Sequence, residues 1–457
     1  MERILSLILI ITSFSAMAQS GFQNTYGTQG SQFGLSCQQT SDGGFVFFGQ
    51  SNLGMGVQHM YMVRTDAWGN ELWTRTYETS TFDFGTSVKQ MYDEGFVITG
   101  SIGFDEDSLT VIRTDPQGEI IWQRNFSGWG RSVGQHVLVT NDGDILVTGF
   151  TGGDEQEDVM LVRLTPAGEL VWIRVHDHPG RQFTRRSVET SDGGFAYFGT
   201  TGGFYGDMLL VRTDSNGDTL WTKVFGTEIP EQGMSIANAT GGFILLGHQY
   251  VPGGDLILMR ADANGEIQWT EFHGGDGWDL AADVVTTPDE AFAIAGRKET
   301  ENGHHMYFIR TDPSGGSVWE NTYPFNEMSD ALELQMTIDG GYIMLGSTSI
   351  MDPLSSNFYA VKIDANGYVG LEDRETLHSI LGFPNPFTDQ TWIDLNGLGH
   401  SEKDLILTDV LGNIIRTYDD MDSAGFMLQR QGLAAGMYFL RWKTGGDPSV
   451  PLKLIVQ

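Results

Sequence analysis

A unit of about fifty residues recurs seven times from Phe22 onward, and no other feature constrains the fold as tightly. One column is Trp, at Trp73, Trp122, Trp172, Trp221, Trp269 and Trp319, with spacings of 49, 50, 49, 48 and 50 residues. A second is aromatic or aliphatic: Phe45, Phe96, Ile145, Phe195, Phe243, Phe292 and Tyr342. A third is Gly, at Gly69, Gly118, Gly168, Gly217, Gly265, Gly315 and Gly367. Each unit holds short apolar runs separated by turn residues, and none has a 3.6-residue apolar period of helical length.

In the second unit, Ser87–Met91, Phe96–Thr99, Leu109–Arg113 and Glu119–Phe126 read as four strands, with Gly100 closing the second. Tight turns join them into one antiparallel meander. The Asp-x-x-Gly turns follow from chemistry. Asp66, Asp115, Asp214, Asp262, Asp312 and Asp364 can cap free N–H groups, with Thr165 a weaker substitute in the third copy. The Gly three positions on takes the left-handed conformation that closes a hairpin.

The ends decide how seven meanders are arranged. The first copy opens on Phe22–Gly27, which matches a Trp strand, while the last has its Asp364–Gly367 turn and almost nothing beyond. Residues 22–27 therefore complete the seventh unit, which closes a ring and removes both sheet edges. The expected fold is all-β: a seven-bladed β-propeller over 19–370, closed by an N-terminal strand, with the Trp strand outermost. A short charged linker, 371–377, then leads to seven strand-like runs over 378–457, expected to form a small immunoglobulin-like β-sandwich.

Lys plus Arg number 26 against 59 Asp plus Glu, a formal charge of −33. Such a surface repels phosphate backbones, so nucleic acid is excluded as a partner. Cys37 is the single cysteine, which removes intrachain disulfides and thiolate clusters. Met1–Arg3, the apolar run Ile4–Ile11 and the small residues to Ala18 read as a signal peptide over 1–18, cut to leave Gln19. No later run reaches the eighteen apolar residues of a spanning helix, so no transmembrane anchor is expected in the mature chain.

Four motifs near the C-terminus stand in order: Pro384, Asn385, Pro386 and Phe387; Asp409 to Gly412 and Asn413; Gly432 to Gly436 and Leu440; and Lys453 to Val456. They resemble the C-terminal sorting domain of proteins exported by the type IX secretion system of Bacteroidota. The resemblance implies an immunoglobulin-like sandwich, handling by the type IX machinery, and a cargo secreted or attached at the outer-membrane surface. The repeats resemble secreted bacterial β-propeller repeat proteins, a class whose roles are scattered, so the likeness speaks for the ring and hardly for activity.

Residues whose pattern suggests chemistry each have a place in the scaffold as well. Gly130, Ser132 and Gly134 match the string of an esterase nucleophile elbow, but no helix follows, and Gly134 falls in a small-residue column with Gly34, Gly85 and Ala281. His176 with His178, and His304 with His305, have loose metal spacing without a third ligand. Asp214 to Asp218 looks like part of a calcium loop without its closing Glu, so calcium is the one cofactor left open and none is otherwise implied. The Trp column reads as packing between sheets. Aromatics that break the period are the better binding candidates: Trp68, Trp129, Phe204, Tyr205 and Trp278.

Nine positions before the second column stand Ser36, Ser87, His136, Arg186, Met234, Asp283 and Glu333, expected to line the channel because they vary where a scaffold column should be constant. The reading that fits is an exported binding or scaffold module for glycan or protein. A polysaccharide-degrading lyase or hydrolase on the same ring is the alternative, and it would need a carboxylate pair that 59 acids leave unnominated. A charged cluster at a channel mouth would favour the enzyme, and a channel plugged by side chains the scaffold.

Overall fold

The structure, a computed structural model, describes residues 21–27, 30–54, 57–79, 82–103, 108–128, 130–153, 156–178, 180–203, 206–325, 328–348, 356–369, 381–383, 387–394, 405–409, 413–418, 425–442 and 452–456. The signal-peptide and linker segments expected from the sequence lie outside the described residues. Two compact units divide the chain, Met1–Gly367 and Tyr368–Gln457.

The first unit is built of seven four-stranded antiparallel sheets. Blade two contains Asp83–Gln90, Phe96–Ile102, Ser108–Thr114 and Ile120–Phe126 in that order from the inside out. Its inner strand starts four residues before the expected Ser87, and Gly100 lies within the second strand instead of ending it. The reason is a β-bulge. In every inner strand the register slips by one residue, between Gly85 and Ser87 in blade two, and the bulged strand pushes its backbone toward its neighbour. A Cβ at Gly49, Gly100 or Gly149 would collide with the carbonyl oxygen of Phe33, Phe84 or Val133. That glycine makes room for the bulge.

The seventh blade consists of Asp330–Met336, Tyr342–Ser347 and Phe358–Ile363, with Phe22–Tyr26 as its outer strand. Phe22 stands opposite Lys362 in that pairing. Elsewhere the same register position pairs Trp73 with Arg64, Trp122 with Arg113 and Trp319 with Arg310. Phe22 and Lys362 are therefore the seventh members of the Trp and Arg columns. The core at the junction mixes Phe22, Tyr26 and Leu345 of the last blade with Phe45, Phe47 and Val63 of the first. The ring is a closed seven-bladed β-propeller, as the chain ends required.

The outer strands explain the Trp and Gly columns together. A Cβ built on Gly118 would lie 2.9 Å from the Trp73 ring, and one on Gly367 only 2.6 Å from that of Trp319. Each half-buried indole packs on the turn of the following blade, and Phe22 packs on Gly69 in the same way. The turn itself is held as expected: Asp115 accepts from the N–H groups of Gln117 and Glu119 at 2.9 Å each, whereas Thr165 accepts from Glu169 alone at 3.2 Å. A further bond crosses at the end of the outer strand. The Tyr77 hydroxyl donates to the Gly118 carbonyl at 3.0 Å, and Tyr26 and Tyr323 repeat this with Gly69 and Gly367 at 2.7 and 2.8 Å.

The second unit has a three-stranded sheet, Leu381–Phe383, Gln390–Asp394 and Gly425–Gln429, and a four-stranded sheet ordered Ile414–Tyr418, Leu405–Asp409, Gly436–Trp442, Leu452–Val456. Phe387, Ile393, Leu407, Leu428, Leu440 and Leu454 form its core. These are the strands the sequence pattern implied, in a small β-sandwich.

Phe22 is 9 % exposed and seals the ring. Phe22→Ala is expected to cost about 3–5 kcal/mol, the usual penalty for emptying a buried aromatic site. Phe22→Trp, which restores the repeat residue, should cost less, within the about 1–3 kcal/mol typical of adding volume at a packed site. Denaturant midpoints of the two variants against the parent check this.

Candidate functional site

The inner strands face a central channel, and the column predicted to line it turns out to be hydrogen-bonded around the ring. Ser36 Oγ accepts from the Val88 N–H of the next blade at 3.1 Å, and Ser87 Oγ from the Val137 N–H at 3.2 Å. His136 Nδ1 meets the Ser187 N–H at 3.4 Å. Asp283 Oδ2 accepts from Leu334 at 2.9 Å, and Glu333 Oε2 from Cys37 at 3.3 Å. Each group lends an acceptor to a backbone donor on the open edge of the next blade's inner strand, which has no further strand to pair with.

Blade five shifts the column by one residue, although Met234, expected to line the channel, does line its cavity. Its first turn is one residue shorter, so counting back from Phe243 arrives at Met234, but the register places Ser235 opposite Leu246 where the others place Ser36 or Ser87. Ser235 Oγ does what its position demands, accepting from Val284 at 3.4 Å and donating to Asp283 Oδ1 at 2.6 Å. Met234 is the bulge residue. The seven bulge residues, Leu35, Thr86, Gln135, Arg185, Met234, Ala282 and Leu332, all line a cavity of about 220 Å³ in the channel. This column escaped the sequence reading because a bulge has no signature in residue type. Its variability was the available signal.

Blade four breaks the belt. Arg186 has only donors and cannot cap a backbone N–H. Its guanidinium instead reaches across to Glu333 Oε1 at 3.0 Å and Asp283 Oδ2 at 2.9 Å. Lys89 joins from blade two, 3.3 Å from Glu333 Oε1. Burial pushes the Glu333 carboxyl up, but Arg186 and then Lys89, with hydrogen bonds from Arg186 and Ser36, outweigh it and hold it at about 2. Asp283 is raised, because burial exceeds what Arg186 returns and Glu333 adds to the rise. Burial, then Arg186 and Lys89, hold His136 well below its ordinary value and therefore neutral. The channel is crossed by an ion-pair network at this level.

The remaining candidates separate. Trp68 is 62 % exposed on the turn between the last two strands of blade one. Trp278 stands in the connection before blade six, edge-on to Tyr250 at 5.6 Å. These two lie at opposite ends of the strands, since hairpin turns alternate with loops along each meander. Trp129, Phe204 and Tyr205 lie outside the described residues, as do Pro384, Asn385, Pro386 and Gly412 of the C-terminal motifs. Phe387 is 2 % exposed in the core of the second unit, Gly436 opens the strand Gly436–Trp442, and Lys453 lies on Leu452–Val456.

Ser132 is buried within the inner strand Arg131–Val139, bonded to Thr151 Oγ1 at 2.7 Å, with no strand-to-helix turn to expose it. His176 replaces the outer-strand tyrosine, meeting Tyr197 Oη at 2.8 Å and the Gly217 carbonyl at 2.9 Å. Asp214 spends its Oδ1 on Asn216 and Asp218, at 2.8 and 2.9 Å. Among the described residues no group of three or more His, Cys, Asp or Glu is placed to hold a metal ion.

A groove that the sequence reading missed lies where the repeat shortens. In other blades the Arg opposite the Trp is clasped by an Asp of the first turn, as in Arg163–Asp142 at 2.6 Å and Arg310–Asp289 at 2.6 Å. Blade five has only Thr240 and Gly241 there, and Arg260 donates to the Thr240 carbonyl instead. The gap leaves a groove of about 790 Å³ between blades four and five, lined by Leu220, Trp221, Phe243, Glu189 and Asn238. The 48-residue spacing and the missing Asp were both legible.

Residues 382–457 match the family model of the secretion system C-terminal sorting domain. The second unit is a type IX sorting domain. It covers less than a fifth of the chain and implies export through the type IX machinery, to the medium or to the cell surface. Among the described residues no helix is long and apolar enough to cross a membrane. No curated protein matches the chain. Among solved structures, the periplasmic gluconolactonase PpgL of Pseudomonas aeruginosa aligns over 63 % of this chain and 84 % of its own at 14 % identity and TM-score 0.46. Sqt1 of Chaetomium thermophilum aligns over 77 % and 98 % at 12 % identity and TM-score 0.45. A protein of unknown function from Dyadobacter fermentans aligns over 75 % and 98 % at 11 % identity and TM-score 0.43.

Arg186→Met removes the partner of two buried carboxylates and is expected to destabilise the chain by about 3–5 kcal/mol in a denaturant titration at pH 7. A second acid gives a pH signature. Asp330 is buried against Arg297, with Oδ1 3.6 Å from Nε, and burial, only partly offset by Arg297, raises it to about 6. The folded state then holds this proton more tightly than the unfolded chain, where the group titrates near pH 3.9. Its stability contribution is present below about pH 4 and lost as pH rises through 6. Asp330→Asn should abolish about 2 kcal/mol of that loss, read as the difference between unfolding free energies at pH 4 and 7.

Proposed function

We propose that this protein is a non-catalytic binding module, exported by its sorting domain and working as a secreted or outer-membrane-attached β-propeller that holds a glycan or a protein. The observation that carries the reading is the fate of the channel acids. Asp283 and Glu333 share Arg186 and cap the backbone N–H groups of Leu334 and Cys37. A glycosidase needs two carboxylates facing a sugar with room between them, one of them free to give up a proton. These two are spent on holding the ring. The cavity beside them, about 220 Å³, is smaller than the ~300 Å³ at which small-molecule pockets begin.

Ligand contact then falls to surfaces where the repeat fails, such as the groove between blades four and five or exposed Trp68. The test is a glycan and peptide array probed with the full mature chain, with product analysis by mass spectrometry on every ligand retained. Retention without turnover is the expected result. Product formation that disappears in Asp283→Asn or Glu333→Gln, both still folded by circular dichroism, would overturn the reading in favour of an enzyme.

A further inference from the structure

Basic residues are scarce in this chain, 26 among 457, yet three arginines converge on one cleft. It measures about 420 Å³ and lies mainly on blades three and four, with Phe84 of blade two and Gln232 of blade five at its sides, at the end of the channel where the second and third strands are joined by loops. Arg131, Arg181 and Arg185 line it together with Phe84, Phe150 and Phe183. The channel cavity shares Phe84, Gln135 and Arg185 with it, so the two spaces adjoin.

The cleft is built, not incidental. Glu157, 2 % exposed, sits between two of the arginines: Oε2 is 3.0 Å from Arg181 Nη2, and Oε1 is 3.9 Å from Arg131 Nη1. Arg181 stacks on Phe183 at 5.3 Å and Arg131 on Phe150 at 5.7 Å, while the two rings meet edge-to-face at 5.8 Å. One carboxylate thus orients two guanidinium groups on aromatic supports and leaves the cluster net positive. Arg185 adds a third charge. Among the described residues it has neither a carboxylate nor a carbonyl partner, though it is accessible from the cavity. Its field is felt nearby: burial first, then Arg185 and Arg297, hold His248 down near 3. The Thr184 hydroxyl also lines the cleft, on a residue 1 % exposed, without a hydrogen-bond partner among the described residues.

We propose that this cleft binds an acidic saccharide, a uronate-type sugar whose carboxylate is taken by Arg185 and whose ring face lies against the half-buried Phe84 and Phe183. Guanidinium forks match carboxylates in two-point geometry. Aromatic faces take the apolar side of a pyranose. A uronate carries its carboxylate rigidly on the ring, so it pays less ordering entropy than a Glu or Asp side chain of a peptide, which presents the same charge on a flexible stem. The volume lies within the ~300–1,000 Å³ range of ligand sites and accommodates a short oligomer. The inference names a ligand class for the binding-module reading and rests on it.

The test is calorimetric titration of the full mature chain with trigalacturonate, its methyl ester and maltotriose, repeated with Arg185→Gln. The Arg185 side chain makes no hydrogen bond or ion pair among the described residues, so this variant should melt close to the parent. The acid trimer is expected to bind at least tenfold tighter than the ester or the neutral sugar. It should weaken at 0.5 M salt and lose at least tenfold in Arg185→Gln. Equal affinity for the ester, unchanged affinity in Arg185→Gln, no binding of the acid trimer, or preference for a poly-Glu peptide of equal charge would each overturn the site. The broader reading would survive any of these if the array still retained a ligand without turnover, and would fall separately if trigalacturonate were cleaved.

Discussion

Each inner strand depends on a side chain from its neighbour. The innermost strand is the edge of its sheet and turns alternate backbone N–H groups away from the ladder, and a buried unpaired donor costs about 1–3 kcal/mol. Ser36, Ser87, His136, Ser235, Asp283 and Glu333 each answer that demand for the following blade. A propeller blade cannot bury its inner edge alone, so the acceptor must come from next door. The same logic repeats at the rim, where Trp rings pack on the next turn and tyrosine hydroxyls donate to its glycine carbonyl. Blade-to-blade bonding at both radii makes the ring one cooperative object.

That requirement limits where function can reside. The polar side chains of the inner belt are engaged before any ligand arrives, and these include the two channel acids. Arg186 shows how far the engagement extends: as a donor it fails the belt, so the structure turns it across the channel and matches it with Asp283 and Glu333. Breaking one member leaves uncompensated buried charge. The parts free of such duty are the loop-face cleft of blades three and four, the groove left by the short turn of blade five, and scattered exposed aromatics.

Much of this was legible from residue columns. The Asp-x-x-Gly turns, the outer Trp strand, the closure by Phe22–Tyr26 and the seven strands of the sorting domain appear where periodicity and end-matching put them. The channel column was legible in six blades and slipped in the fifth, because Met234 and Ser235 differ by the one residue that the Thr240–Gly241 turn omits. Trp172 and Phe195 could be read as packing residues, but Arg181, Arg185 and Glu157 gave no signal: Glu157 sits in another repeat from the two arginines, and Arg185 falls at a bulge position that varies from blade to blade.

The sequence by itself determined the number of blades, the order of strands, the way the ring closes and the export address, because each is written in local periodicity or in contiguous motifs. Only the tertiary structure decided which side chains face one another across the channel and which arginines share the cleft. Those meetings depend on where a bulge shifts register and on how seven separate segments converge at an axis, and neither is encoded in spacing along the chain.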